Sequence, residues 1–369
     1  MLRLKRFEVQ NYKNFGKKIT MDFSKVQDYD FNTECIADGV IKNAIIYGNN
    51  AVGKSNFGLA IMDLTNHLVD NAKDVRGVMA YLNADTDSDR AWFRYTWQDD
   101  ATEIVYEYEK AALMQLLTEK LSVNGEEVFS YDYASNVGNL DNLPKYQMGT
   151  LNWQFRDSGL SVLRYMANNS SLSKEHPVVK LMTFVDGMLW FRNLGTSNEY
   201  VGFTNHIEGM TDYIIRNGYI KLFESFLNEY GVEEKLEAKP DVTGRMNLYF
   251  SHKRYVPFGA ASNGTNSLLT TYYWYLQMKK ASFVFIDEFD AFYHFALAES
   301  LVKLAITKLD MQIILTSHNT NLLTNSFMRP DCLFILTKEK LSPLTEATNR
   351  ELREEHNLER LYMGGEFDE

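Results

Sequence analysis

Cysteine is almost missing from this sequence: Cys35 and Cys332 are the only two in 369 residues. Two thiols are too few for a disulfide framework or a zinc site, and they fit a reducing compartment. No apolar run approaches the roughly 20 residues that span a bilayer. The opening Met1-Leu2-Arg3-Leu4-Lys5-Arg6 alternates charge with hydrophobe where a signal peptide would carry a continuous apolar core. The expectation is a soluble, cytoplasmic protein with no membrane partner. Positive charge is also in deficit, with 38 Lys and Arg against 49 Asp and Glu, a net charge of −11. That balance excludes a general nucleic-acid-coating surface and leaves direct nucleic-acid binding open only through a local patch or a partner. Internal repeats, low-complexity segments and sustained heptads are absent as well. What is present, 45% hydrophobic and 14% aromatic residues, suffices for a large core in one elaborated domain or two closely joined lobes.

Two short stretches carry chemistry. Gly48-Asn49-Asn50-Ala51-Val52-Gly53-Lys54-Ser55 fits GxxxxGK[ST], in which Gly48 and Gly53 let a loop curl so that backbone N–H groups point at phosphate oxygens. Lys54 would reach the β and γ phosphates and the Ser55 hydroxyl would ligate Mg²⁺. The helix entered through Asn56 would turn its positive end to the anion. Asn43 to Tyr47 reads as a buried strand entering this loop, and Asn56 to Val69 carries helix-spaced apolar residues leaving it. The second stretch, Phe283 to Asp290 (FVFIDEFD), is an apolar run ending in adjacent carboxylates. Unpaired buried charge is costly, so a strand delivering Asp287 to a metal and Glu288 to a water explains the pair better than core packing does. Together the stretches predict binding and hydrolysis of ATP with Mg²⁺.

Periodicity places these motifs in an α/β chain. Leu2 to Tyr12 and Ile19 to Phe23 read as paired strands. Trp92 to Trp97, Ile104 to Tyr108, Leu113 to Val123 and Val128 to Tyr131 read as an antiparallel sheet, with Asn124-Gly125 as a hairpin turn. From Pro177 to Tyr230 the spacing is helical, through Val178, Leu181, Met182, Val185, Met188 and Leu189 and then Ile214 to Leu227, which predicts a compact helical lobe. From Met246 onward the order is strand, helix, strand, helix, strand, as a parallel sheet requires. Residues 1–135 are thus expected to form the first part of a nucleotide-binding domain with its β subdomain, 136–245 the helical lobe, and 246–369 the second part of that domain. Ser262-Asn263-Gly264-Thr265 opens a helix. Taken alone it reads as an ordinary N-cap, and by position as a second anion-binding helix start. His318 follows the apolar strand Gln312 to Thr316, where a sheet's carboxyl edge would place it as a γ-phosphate sensor.

The order phosphate loop, serine-glycine helix start, acidic strand end and histidine resembles ATP-binding-cassette ATPases, in the soluble branch of chromosome-maintenance, break-repair and phage-defence proteins. SNGT resembles the signature loop, DEFDAFYH the Walker B and D-loop stretch, TSHN the switch-histidine loop, and FEVQNYKNFGKKITMDF the opening strand pair. The closing HNLERLYMGGEFDE resembles the end of RloA-type ATPases of restriction and abortive-infection loci, with the PARIS-system ATPase as a kindred group. The fold class implied is α/β, a P-loop ABC-type ATPase head with an antiparallel β subdomain and an inserted helical lobe. The resemblance further implies a homodimer, or a higher even-numbered homo-oligomer, that sandwiches ATP. In it Ser262, Asn263, Gly264 and Thr265 would complete the partner's phosphate site, Asp290 and Ala291 would form the D-loop, and Lys54, Glu288 and His318 would act in catalysis.

The chain departs from the family in several places. The roughly fifty residues after His318 are too few for the Toprim nuclease domain of the overcoming-lysogenization-defect proteins, and the long coiled coil of the repair branch is missing. Asn263 stands where a glycine or small polar residue is usual. Gln98 and Gln154 are the candidates for the Q-loop. The favoured expectation is a phage-defence ATPase that controls a separate effector protein in response to a phage-encoded trigger. The alternative is a DNA-repair or replication ATPase that clamps DNA directly. A non-hydrolysing scaffold is disfavoured by Lys54, Asp287, Glu288 and His318 together. Lys13 reads as a solvated turn lysine with approach to the nucleotide as its alternative, and His294 as structural. Tyr272 to Tyr275, Trp190 and Phe191 read as packing.

Overall fold

A computed structural model describes residues 1–73, 80–149, 159–194, 197–204 and 208–367. The chain is mixed α/β, as expected. Its main sheet carries the motifs and runs, in spatial order, Ser197–Gly202, Met188–Leu194, Phe283–Asp287, Gln312–Thr316, Asn43–Tyr47, Leu333–Leu336 and Leu341–Pro343. The five inner strands are parallel, and one antiparallel strand closes each edge. Buried on both faces, the inner strands read as continuous apolar runs such as Ala44-Ile45-Ile46 and Ile313-Ile314-Leu315.

The second sheet is antiparallel and includes Arg3–Gln10, Ile19–Asp22, Ala91–Gln98, Glu103–Ala112, Gln115–Val123 and Glu126–Asp132. The expected Asn124-Gly125 turn is there, with both residues at positive φ, 51° and 79°, as a tight two-residue hairpin requires. Between the sheets lies the helix Lys54–Met62. Phe57 meets Phe7 of the antiparallel sheet edge-on at 5.6 Å between centroids. On the opposite side Gly58 faces Phe285 so closely that a Cβ would come within 2.4 Å of the ring. Only a glycine lets this helix settle onto the acidic strand.

Past its last turn the same helix is clamped to the antiparallel sheet. Asp63 accepts hydrogen bonds from Lys110 Nζ at 2.7 Å, Tyr108 Oη at 2.9 Å and Tyr81 Oη at 3.0 Å. Asp63 and Lys110 are both fully buried, so each charge depends on the other. A second buried carboxylate, Glu119, accepts from Tyr106, Tyr133, Ser161 Oγ and the Val162 N–H, and ties the sheet to the helix Val162–Asn169.

Two sequence expectations are corrected. Met188 and Leu189, read with helical spacing, belong to a strand: the helix Pro177–Asp186 stops at Gly187 and Met188–Leu194 enters the main sheet beside the acidic strand. A run buried on both faces has no amphipathic period, so spacing alone could not tell strand from helix. Residues 136–245, read as a helical lobe, therefore supply two strands of the main sheet as well as the helices Val162–Asn169, Pro177–Asp186, Met210–Arg216 and Ile220–Glu229. Met246–Phe250 does not join the parallel sheet either. It pairs antiparallel with Leu236–Pro240 and Val256–Pro257 in a small sheet of its own. Among the described residues no helix is long and apolar enough to cross a membrane.

Candidate nucleotide site

The carboxyl ends of the parallel strands gather the predicted residues. Asn43–Tyr47 runs into the loop Gly48 to Gly53, whose tip residues Asn49, Asn50 and Ala51 are exposed. A Cβ on Gly48 would lie 2.5 Å from the Leu336 carbonyl oxygen, and one on Gly53 would lie 2.1 Å from Asn14 Nδ2, with φ at +106°. Both glycines are thus demanded by close approach. Gly53 caps the helix without a side chain, so no side-chain oxygen caps its first-turn N–H groups. Lys54 Nζ donates to the Gly48 carbonyl at 2.7 Å and the Asn49 carbonyl at 3.3 Å. Burial lowers the Lys54 pKa, and the charges of Asp287 and Glu288 oppose that shift.

Asn14 braces this loop from outside. Its Nδ2 donates to the Val52 carbonyl at 2.6 Å and its Oδ1 accepts from Asn56 Nδ2 at 2.8 Å. The neighbouring Lys13 instead places its ammonium over the Tyr12 ring at 5.6 Å. The local signal for Asn14 was its place in a turn, which says nothing about what the turn touches.

Asp287 ends the acidic strand fully buried. Thr316 Oγ1 donates to its Oδ1 at 2.8 Å and accepts from the Glu288 N–H at 2.8 Å, so one hydroxyl orients both acidic residues. Glu288 adopts φ 51°, in the left-handed region that non-glycine residues avoid. His318 follows the next strand and is exposed at its edge. Its pKa is lowered first by partial burial and then by the charge of Lys54, against the pull of Glu288 and Asp287. Ser317 Oγ donates to Asp290 at 2.7 Å, and burial raises that carboxyl's pKa. His294 has the structural role expected, capping the helix Phe295–Lys308 through Nδ1.

One side chain in the site had no place in the sequence reading. Arg192, near the end of the strand Met188–Leu194, bonds Asp287 Oδ2 through Nε at 2.8 Å and through Nη2 at 2.6 Å. The same Nη2 donates to Ser55 Oγ at 2.7 Å. Both predicted metal ligands therefore meet on one guanidinium. Of the two Q-loop candidates, Gln98 lies in the antiparallel sheet opposite Arg3 and Glu103, and Gln154 lies outside the described residues.

The donor set fits a magnesium ion brought with a phosphate. Ser55 and Asp287 are hard oxygen ligands of the kind Mg²⁺ takes, with phosphate oxygens and water completing the shell. Among the described residues no cluster of three His, Cys, Asp or Glu side chains would hold a metal unaided.

Ser262 caps the helix Asn263–Gln277, accepting from the Thr265 N–H at 3.2 Å and sharing a 3.0 Å hydroxyl contact with Thr265. Ser262 and Asn263 are exposed, and Gly264 lies against the carbonyl of Phe292, which a Cβ would meet at 3.3 Å. Among the described residues no hydrogen bond joins Ser262, Asn263, Gly264 or Thr265 to the phosphate loop of the same chain.

Residues 158–324, just under half of the chain, match the family model described as "AAA domain, putative AbiEii toxin, Type IV TA system". No curated protein matches the sequence significantly. Among solved structures, the SMC head domain from Thermotoga maritima aligns at 15% identity over 92% of this chain and 98% of that one, with a TM-score of 0.41. An SmcHead bound to the C-winged helix domain of ScpA aligns at 14% identity over 94% and 100%, with a TM-score of 0.46. The recombination mediator protein RecF with ATP aligns at 15% identity over 92% and 98%, with a TM-score of 0.41.

Proposed function

We propose that the chain is an ABC-type ATPase that binds ATP at Gly48 to Asn56 and hydrolyses it. The observation that carries this reading is convergence: Lys54 and Ser55, Asp287 and Glu288, and His318 come from distant segments to the carboxyl ends of neighbouring parallel strands, where an open α/β sheet binds ligands. The loop's N–H groups and Lys54 would bind the β and γ phosphates. Ser55 and Asp287 would hold Mg²⁺, which supplies charge neutralisation across the phosphate oxygens. Glu288 would accept the proton of the attacking water. His318, held neutral by its lowered pKa, would donate a hydrogen bond to the γ phosphate.

The exposed start of the signature helix suits a second copy better than this chain's own loop. Phe292 and Phe295, 37% and 39% exposed beside it, offer apolar surface for that contact. A homodimer with ATP between Lys54 of one protomer and Ser262 to Thr265 of its partner follows. The toxin–antitoxin description of the matched family supports a defence role; control of a separate effector by hydrolysis, in response to a phage-encoded trigger, is the form of that role implied by the resemblance to RloA-type ATPases.

Calorimetric ATP binding and phosphate release test the site. Lys54→Ala should weaken binding by at least about ten-fold, since it removes a charge-assisted phosphate contact. Glu288→Gln should keep binding within about two-fold and cut turnover by about a hundred-fold or more. Unchanged binding by Lys54→Ala would remove the triphosphate site, and full turnover by Glu288→Gln would remove the general base.

A further inference from the structure

Arg192 occupies a peculiar position for a cation. Adjacent strands put Glu199, Arg192 and Asp287 in direct register across the main sheet, so their side chains leave one face in a single row. Thr316 closes that row by bonding Asp287 Oδ1, while Arg192 takes Oδ2 with two nitrogens. The guanidinium is held over the Trp190 ring at 5.8 Å and is only 19% exposed. Its Nη2 stands 2.6 Å from Asp287 and 2.7 Å from Ser55, in the space that a metal ion or its bound water needs to touch both. A divalent ion and a guanidinium cannot share that space, because like charges a few ångströms apart in a partly buried site repel strongly.

We propose that Arg192 competes with the divalent cation for Ser55 and Asp287, and that the metal enters only as the guanidinium crosses the row toward Glu199. Neighbouring strands are about 4.8 Å apart, well within the swing of an arginine whose Cα stays fixed. Glu199 is one of the carboxylates whose charge already supports the Arg192 cation. The competition raises the free Mg²⁺ concentration that ATP binding requires, since the site is open only in the fraction of chains whose arginine has moved. This inference rests on the triphosphate reading.

The test is equilibrium binding of a non-hydrolysable fluorescent ATP analogue to the full chain, titrated with free Mg²⁺. Arg192→Met should lower the Mg²⁺ concentration at half-saturation at least about five-fold, and Glu199→Gln should raise it, by the same competition. A second readout needs no nucleotide. Mg²⁺ alone should raise the melting temperature of Arg192→Met more than that of the wild type, because the ion then relieves a buried, unpaired Asp287. Should Arg192→Met fail to fold, Arg192→Lys keeps the charge with fewer donors and should show a smaller fall in half-saturation. An unchanged or increased Mg²⁺ requirement in the arginine variants overturns the competition while wild-type binding that Lys54→Ala abolishes keeps the site. Absence of analogue binding by the wild type at any Mg²⁺ concentration overturns both.

Discussion

Glu288 sits at φ 51°, a conformation that costs an L-residue about 1–2 kcal/mol. The neighbouring bonds impose it: the Glu288 N–H is fixed on Thr316 Oγ1, and the Phe289 N–H reaches the Thr316 carbonyl at 3.2 Å. The turn thereby sends Asp287 and Glu288, adjacent in sequence, to different tasks. Strain of this kind should be recoverable where function is surrendered. Glu288→Gly should raise stability against urea by about 1 kcal/mol relative to Glu288→Gln, which keeps the strained backbone, although glycine's greater unfolded-state freedom returns part of the gain. Both variants should lack turnover. Equal stabilities would show that the left-handed turn is not under strain.

The elements around the site differ in how far the sequence disclosed them. Asn43–Tyr47, Phe283–Asp287 and Gln312–Thr316 were legible because each is a short apolar run that ends in, or leads directly into, residues with chemistry: the loop from Gly48, Asp287 and Glu288, and His318. Met188–Leu194 was not: its first residues continue the helical spacing of Pro177–Asp186, and only the three-dimensional pairing with Phe283–Asp287 fixes it as a strand. The missed clue was Arg192 itself, a charge within MLWFRNL, which a buried run tolerates only beside a carboxylate. Asn14 and Thr316 act through contacts to segments 38 and 29 residues away, which no local pattern announces. The short helix Thr65–Leu68 carries a further hidden feature. His67 is buried, with Nε2 on Tyr106 Oη at 2.9 Å and Nδ1 unpaired. Burial, then the charges of Lys110, Lys73 and Arg164, hold its pKa well below the usual 6.5. The folded chain thus refuses a proton that the unfolded chain accepts below pH 6.5. Its contribution to stability is complete above that pH and falls as the pH drops, by about 1.4 kcal/mol per unit until the folded pKa is reached. Urea midpoints between pH 7 and 5 should show this slope, and His67→Gln should flatten it; an unchanged slope would assign the acid sensitivity elsewhere.

For the whole molecule, the proposed dimer has a consequence that single variants do not reveal. Lys54→Ala and Ser262→Arg damage opposite sides of the same composite site, so each chain alone should be inactive. In a mixed dimer both defects fall on one site and the other is intact. With random subunit exchange half of the dimers are mixed, and up to about a quarter of wild-type phosphate release should return if the sites act independently. Full activity of Ser262→Arg alone would exclude a signature acting across the interface. The sandwich is tied to the rest of the chain by the helix Lys54–Met62, which begins in the phosphate loop and ends at the Asp63 clamp. Mechanically it is a strut about 13 Å long, pinned at both ends and too short to bend. A tilt imposed at its loop end would be carried by Lys110 and Tyr108, both on the strand Glu103–Ala112, into the antiparallel sheet as a whole. A protein resting on that sheet's outer face would read the orientation of a rigid plate, and could follow ATP turnover without touching the nucleotide.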